Sequence, residues 1–138
     1  MNGASRQDVE CVAWHGQPLA YIVRSEPVPD RTSFVTPDTE NLQVGFIVYP
    51  AGATIQRHTH RPLERHLSGT AEVLVVRRGR CQIEIYSDGH ELVATRELRP
   101  GDVMLMVGGG HGFRMLEDTV LLEVKQGPYT GLDEKERF

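Results

Sequence analysis

Cysteine is scarce: two residues among 138, Cys11 and Cys81, too far apart in sequence for a spaced metal-binding pair or a disulfide framework. Cys81 therefore reads as a core residue. Blocks of one charge are missing as well. The 15 basic and 19 acidic side chains are scattered along the chain and leave a net charge of −4, so no stretch suits a run of phosphates and no nucleic acid partner is expected. No apolar run approaches the roughly 20 residues that span a bilayer, and the opening MNGASRQDVE lacks the apolar stretch of a secretory signal. The expectation is a cytoplasmic protein without a membrane partner. Long helical periodicity, internal repeats and low-complexity tracts are also missing.

Apolar residues make up 39% of the chain and there are 14 glycines, together about half, the norm for a globular protein. A chain of this length buries about two-thirds of its unfolded surface without staples, so one domain is expected. From Pro18 onward, short β-rich runs alternate with Gly, Pro, Asn and Asp at the spacing of a sandwich or barrel. The clearest cover residues 19–24, 43–49, 54–60, 72–77, 81–86, 92–97, 103–107, 112–116 and 120–125, with a short strand at 32–35 inside a polar loop.

Turn chemistry supports antiparallel pairing. Asp88-Gly89 signals a hairpin with a type I′ turn, and Gly79 has a similar role at the preceding strand connection. In Arg99-Pro100-Gly101-Asp102 the proline presets φ and the glycine permits the left-handed residue of a type II turn. In Cys81-Gln82-Ile83-Glu84-Ile85-Tyr86 the cysteine and both isoleucines share one face, as in a half-buried strand. Many strands with no helix to cover an open sheet predict an all-β fold closed as a barrel or double-sheet jelly roll. The expected organisation is an irregular arm over 1–17, a β-barrel over 18–128 and a charged tail over 129–138.

His58 and His60 end one predicted strand, two residues apart, so both imidazoles leave one face from Cα atoms roughly 6.6 Å apart and one metal ion can accept both. The pair alone is not specific; its surroundings are. Gly52 precedes His58 by five intervening residues, Glu72 is followed by six residues and then Gly79, and Gly101-Asp102 leads after another run to His111. This order resembles the two-part signature of the cupin superfamily, G-x5-H-x-H-x3,4-E-x6-G followed by a second motif with one more histidine. The resemblance spans about residues 45–124 and implies a single-domain jelly-roll β-barrel, a metal held by three histidines and a glutamate, and a homodimer. Eleven residues separate His60 from Glu72 where the family has three or four, and Glu64 sits at the family spacing. Glu72 is preferred because it opens Glu-Val-Leu-Val-Val and reaches the expected glycine; with Leu74 and Val76 it would face an apolar interior. In the second motif Val107 stands in place of the usual proline and Met115 in place of the asparagine.

The resulting metal set is His58, His60, Glu72 and His111, with Glu64 in a loop above it. Imidazole and carboxylate donors without thiolate suit one divalent ion of Fe, Mn, Ni, Zn or Cu. The functional expectation is a metal-dependent enzyme acting on a small oxygenated molecule, as an oxygenase or as an isomerase or epimerase of a sugar-like substrate, with Glu64 or His66 as proton shuttle. The alternative is a non-catalytic cupin that binds a small molecule or sugar, with metal structural or absent. His15 and His90 read as histidines without a role at the site, His90 solvated after the Asp88-Gly89 turn, and Met104, Met106 and Met115 read as core.

Overall fold

The computed structural model describes residues 9–131 and 134–138. Ten strands follow in chain order: β1 (Glu10–Trp14), β2 (Gln17–Val23), β3 (Ser33–Phe34), β4 (Gly45–Phe46), β5 (Glu72–Arg78), β6 (Cys81–Tyr86), β7 (Leu92–Leu98), β8 (Val103–Met106), β9 (Gly110–Met115) and β10 (Val120–Lys125). The described residues are all-β, with no helix and antiparallel pairing throughout. No helix among them is long and apolar enough to cross a membrane. They form a five-stranded sheet ordered β1-β2-β8-β5-β10, a three-stranded sheet ordered β7-β6-β9 and the small pair β3-β4.

Period-two burial builds the core. β6 buries Cys81, Ile83 and Ile85, and β5 buries Glu72, Leu74 and Val76, so these inward faces meet between the two larger sheets. Leu19, Ala20, Ile22, Met104 and Met106 complete that core. A second cluster lies on the other face of the five-stranded sheet, where Tyr21, Ala71 and Leu105 pack with Leu42 and Val44. β2 is therefore covered on both sides, which is why Leu19, Ala20, Tyr21, Ile22 and Val23 form an unbroken buried run instead of alternating. The loop over this face is held by Thr36, whose buried hydroxyl donates to Gln43 Oε1 at 2.9 Å and accepts from the Val44 amide at 3.1 Å.

Turns follow the residues that permit them, with two differences from expectation. Gly79 and Gly101 adopt φ of 83° and 87°, and the Asp102 amide donates to the Arg99 carbonyl at 2.9 Å, as a type II turn at Pro100-Gly101 requires. At Asp88-Gly89 the turn forms, but the left-handed residue is His90, with φ 67°; the His90 amide donates to the Ser87 carbonyl at 3.0 Å, giving a three-residue loop in place of the two-residue type I′ turn. The type I′ geometry appears instead between β1 and β2, at His15 and Gly16, with φ of 48° and 81°.

Three further differences concern whole segments. Within the stretch expected to be an arm, Glu10–Trp14 pairs with β2, and Glu10 accepts two hydrogen bonds from Arg96 on β7, at 2.8 and 3.2 Å, tying the two larger sheets together. The first eight residues of that stretch, and residues 132 and 133 of the expected tail, lie outside the described residues. The run at 43–49 contracts to Gly45–Phe46, and the run at 54–60 forms no strand; residues 51–70 are exposed throughout, with one turn closed by the Ala53 amide on the Pro50 carbonyl at 3.2 Å. Without that strand the sheets do not close into a barrel, and β9 has β6 as its one neighbour among the described residues. Met115, expected in the core, is 50% exposed, although its partner across the ladder is the fully buried Cys81.

Candidate functional site

Glu72 opens β5 in the five-stranded sheet, and His111 lies on β9 in the three-stranded sheet, so the two residues come from opposite layers. Alternation aims Glu72 inward with Leu74 and Val76, and pairing opposite Ile85 puts His111 on the core-facing side of β9. The two meet, His111 Nε2 lying 3.3 Å from Glu72 Oε2. Glu72 is 9% exposed, which is costly for a carboxylate unless a partner is supplied, and His111 is that partner. Partial burial of a ring still 32% exposed pushes the His111 imidazolium below its ordinary range, the Glu72 carboxylate opposes that shift, and Lys135 adds to it. Phe113, two residues further along β9, packs edge-on to the His111 ring with centroids 5.8 Å apart.

The pair borders a cavity of about 790 Å³ that runs along the β9 edge. On the core side it is lined by Leu74, Met106, Phe113, Leu121 and Glu123. On the other side of the ladder it reaches Glu84 and Tyr86, whose hydroxyl donates to Glu84 Oε2 at 2.5 Å; that bond raises the Tyr86 pKa. The cavity extends past both faces of β9, where no second strand pairs among the described residues and the tail residues Glu134–Phe138 add to the lining. Phe138 borders one end, stacked on His90 at 3.9 Å and edge-on to Tyr86 at 5.0 Å, while His90 itself stays exposed in its turn, as expected.

His58, His60, Glu64 and His66 lie on the irregular exposed segment, and none of the four lines the cavity. The His58 and His60 rings are 5.4 Å apart, and His58 Nδ1 is bonded to the Gln56 carbonyl at 2.9 Å. The expected four-residue metal set is thus divided into two pairs, Glu72 with His111 and His58 with His60. Among the described residues no group of three or more His, Cys, Asp and Glu side chains is placed to hold a metal ion. A transition metal held by protein takes at least three such donors, so the donors of one chain, as arranged here, do not fit one.

Glu84 and Glu123 were not singled out in the sequence. Glu123 was legible: in Leu121-Leu122-Glu123 alternation puts residues 121 and 123 on one face, and the ladder sets Glu123 opposite inward-facing Leu74. Glu84 was not, because it lies on the β6 face turned away from the core and reaches the cavity only around the open edge. Protein-family models, curated proteins and solved structures offer no match to this chain.

Proposed function

We propose that this is a cupin-type protein, built on a jelly-roll plan, which binds a divalent transition metal at a centre that includes Glu72 and His111 and receives a small oxygenated molecule in the adjoining cavity. The observation that supports this reading most directly is the 3.3 Å approach of His111 Nε2 to Glu72 Oε2 across two sheets, at the edge of about 790 Å³ of space. A cavity of that size suits a metabolite-sized ligand. Its walls combine apolar side chains with carboxylates and, from the tail, Lys135 and Arg137, a mixture that orients a polar molecule while burying its carbon skeleton.

Elemental analysis of the purified protein beside Glu72→Gln and His111→Ala tests the metal. Near-stoichiometric Fe, Mn, Ni, Zn or Cu in the parent chain, lost in both variants, is the expected result; no metal after reconstitution overturns it. A non-catalytic binding role is the second reading, favoured by one observation: neither Glu64 nor His66, the expected proton shuttles, lines the cavity. A sugar and hydroxy-acid panel read by thermal shift and product analysis separates the two, since stabilisation without turnover fits binding alone.

A further inference from the structure

The division of the site into two pairs coincides with two unsatisfied features of the fold. Residues 51–70 contain no strand, and every residue in the stretch is exposed, including Ile55, Leu63 and Leu67 at 58, 68 and 46%. A structureless loop of that length inside a small domain is unusual unless something else orders it. β9, in turn, is a sheet edge with one neighbour, and its core-side Met115 is half exposed where a further strand would cover it. Residues 54–60 match that edge in length and, with Thr54, Ile55 and Thr59, in strand propensity. The stretch 51–70 holds Gly52 and Gly69 near its ends, both left-handed with φ of 84° and 80° and with nothing within 4 Å of either Cβ position.

We propose that this segment is exchanged between two copies of the chain: residues 54–60 of one copy add as a strand to the β9 edge of the other, so that each centre combines one chain's Glu72 and His111 with the partner's His58 and His60. In strand conformation His58 and His60 leave the same face. With that face turned inward, both imidazoles stand on the core side of β9, beside His111. Neither pair offers enough donors for an ion by itself, and the exchange raises the set to four. The exchange is reciprocal, so a two-fold dimer covers both open β9 edges and leaves no strand unpaired. A second copy is the favoured occupant because residues 54–60 of the same chain are exposed throughout and pair with no part of β9, beside which the tail residues Glu134–Phe138 are the nearest cover. The shared metal centre rests on the function proposed above; the exchange is tested separately from it.

Disulfide trapping tests the exchange without any metal. In a Cys11→Ser background, Arg114→Cys on β9 is combined in turn with Ile55→Cys, Arg57→Cys or Thr59→Cys, all on the face opposite the histidines, and the protein is mildly oxidised. At least one pair is expected to give a covalent dimer on a non-reducing gel that neither single cysteine gives. A link within one chain, or no link at any of the three positions, overturns the exchange. Co-expression of a His58→Ala/His60→Ala chain with a Glu72→Ala/His111→Ala chain, on two affinity tags, then tests the shared centre. The doubly tagged dimer is expected to carry one metal ion while each homodimer carries none. Metal in the parent protein but none in the mixed dimer overturns the shared centre; metal in neither defeats the metal reading alone, and the trapping result still decides the exchange.

Discussion

Asp102 is 4% exposed and accepts hydrogen bonds from the Ser25 and Arg99 amides, both at 2.9 Å, and from Arg24 Nη1 at 3.0 Å. It thereby fixes the turn before β8 to the end of β2. Asp102→Ala leaves two part-buried backbone donors without their acceptor, and urea denaturation is expected to show a loss of about 1–3 kcal/mol. Arg24→Ala is expected to cost about 1 kcal/mol or less, because that side chain is 41% exposed and water replaces much of what the carboxylate supplied. Equal losses in the two variants would show that the salt bridge matters and the amide bonds do not. The cysteines differ in a comparable way. Cys81 is fully buried, and burial, aided by the Asp102 carboxylate, pushes its thiol above the ordinary range. Burial raises the Cys11 thiol in the same direction, so access decides: Cys11 is exposed and Cys81 is not, and an aromatic disulfide reagent at neutral pH is expected to label one cysteine per native chain, Cys11, and two after unfolding.

The elements that were legible in the sequence are those whose alternation and bounding turns agree. β6 and β10 fall where the apolar pattern placed them, since Cys81, Ile83 and Ile85 alternate cleanly and glycine or acidic turn residues flank both strands. β1 was missed because Glu-Cys-Val-Ala-Trp mixes polar and apolar residues without a clear period, and because His15 is a weaker turn signal than Asn or Asp before a glycine. The strand at 54–60 was expected from its composition, but a strand exists only with a neighbour, and the neighbour is a property of the assembled fold. Glycines give a direct test at this scale. A Cβ on Gly79 would stand 2.1 Å from the Asp118 carbonyl oxygen in a left-handed backbone, whereas one on Gly52 would meet nothing within 4 Å. Gly52→Ala is therefore expected to cost about 1–2 kcal/mol, the left-handed penalty alone, and Gly79→Ala clearly more, about 3 kcal/mol or above. Similar thermal midpoints for the two variants would mean that the loop between β5 and β6 relaxes away from Asp118.

Across the whole molecule, half of the candidate site could be read in advance and half could not, for one physical reason. Glu72 and His111 lie on strands whose inward faces are set by local alternation, so their meeting follows once the two sheets pack. His58 and His60 lie on a segment whose position no local pattern determines. The same open edge makes the chain's last residue informative. Phe138 is 63% exposed, so its removal subtracts little buried apolar area, yet its ring is the nearest cover over Gly110, at 3.0 Å from the Cβ position there. Phe138→Ala is therefore expected to change global stability by about 1 kcal/mol or less, in line with the modest worth of an exposed aromatic contact. Amide hydrogen exchange near Gly110 should nevertheless quicken, because backbone protection there depends on local cover and not on global unfolding. If exchange at Gly110 keeps its rate while the thermal midpoint falls by several degrees, the tail belongs to the core and the cavity ends elsewhere. If exchange quickens at constant midpoint, the tail is a removable cover at the end of β9 and leaves the rest of that edge available to a strand.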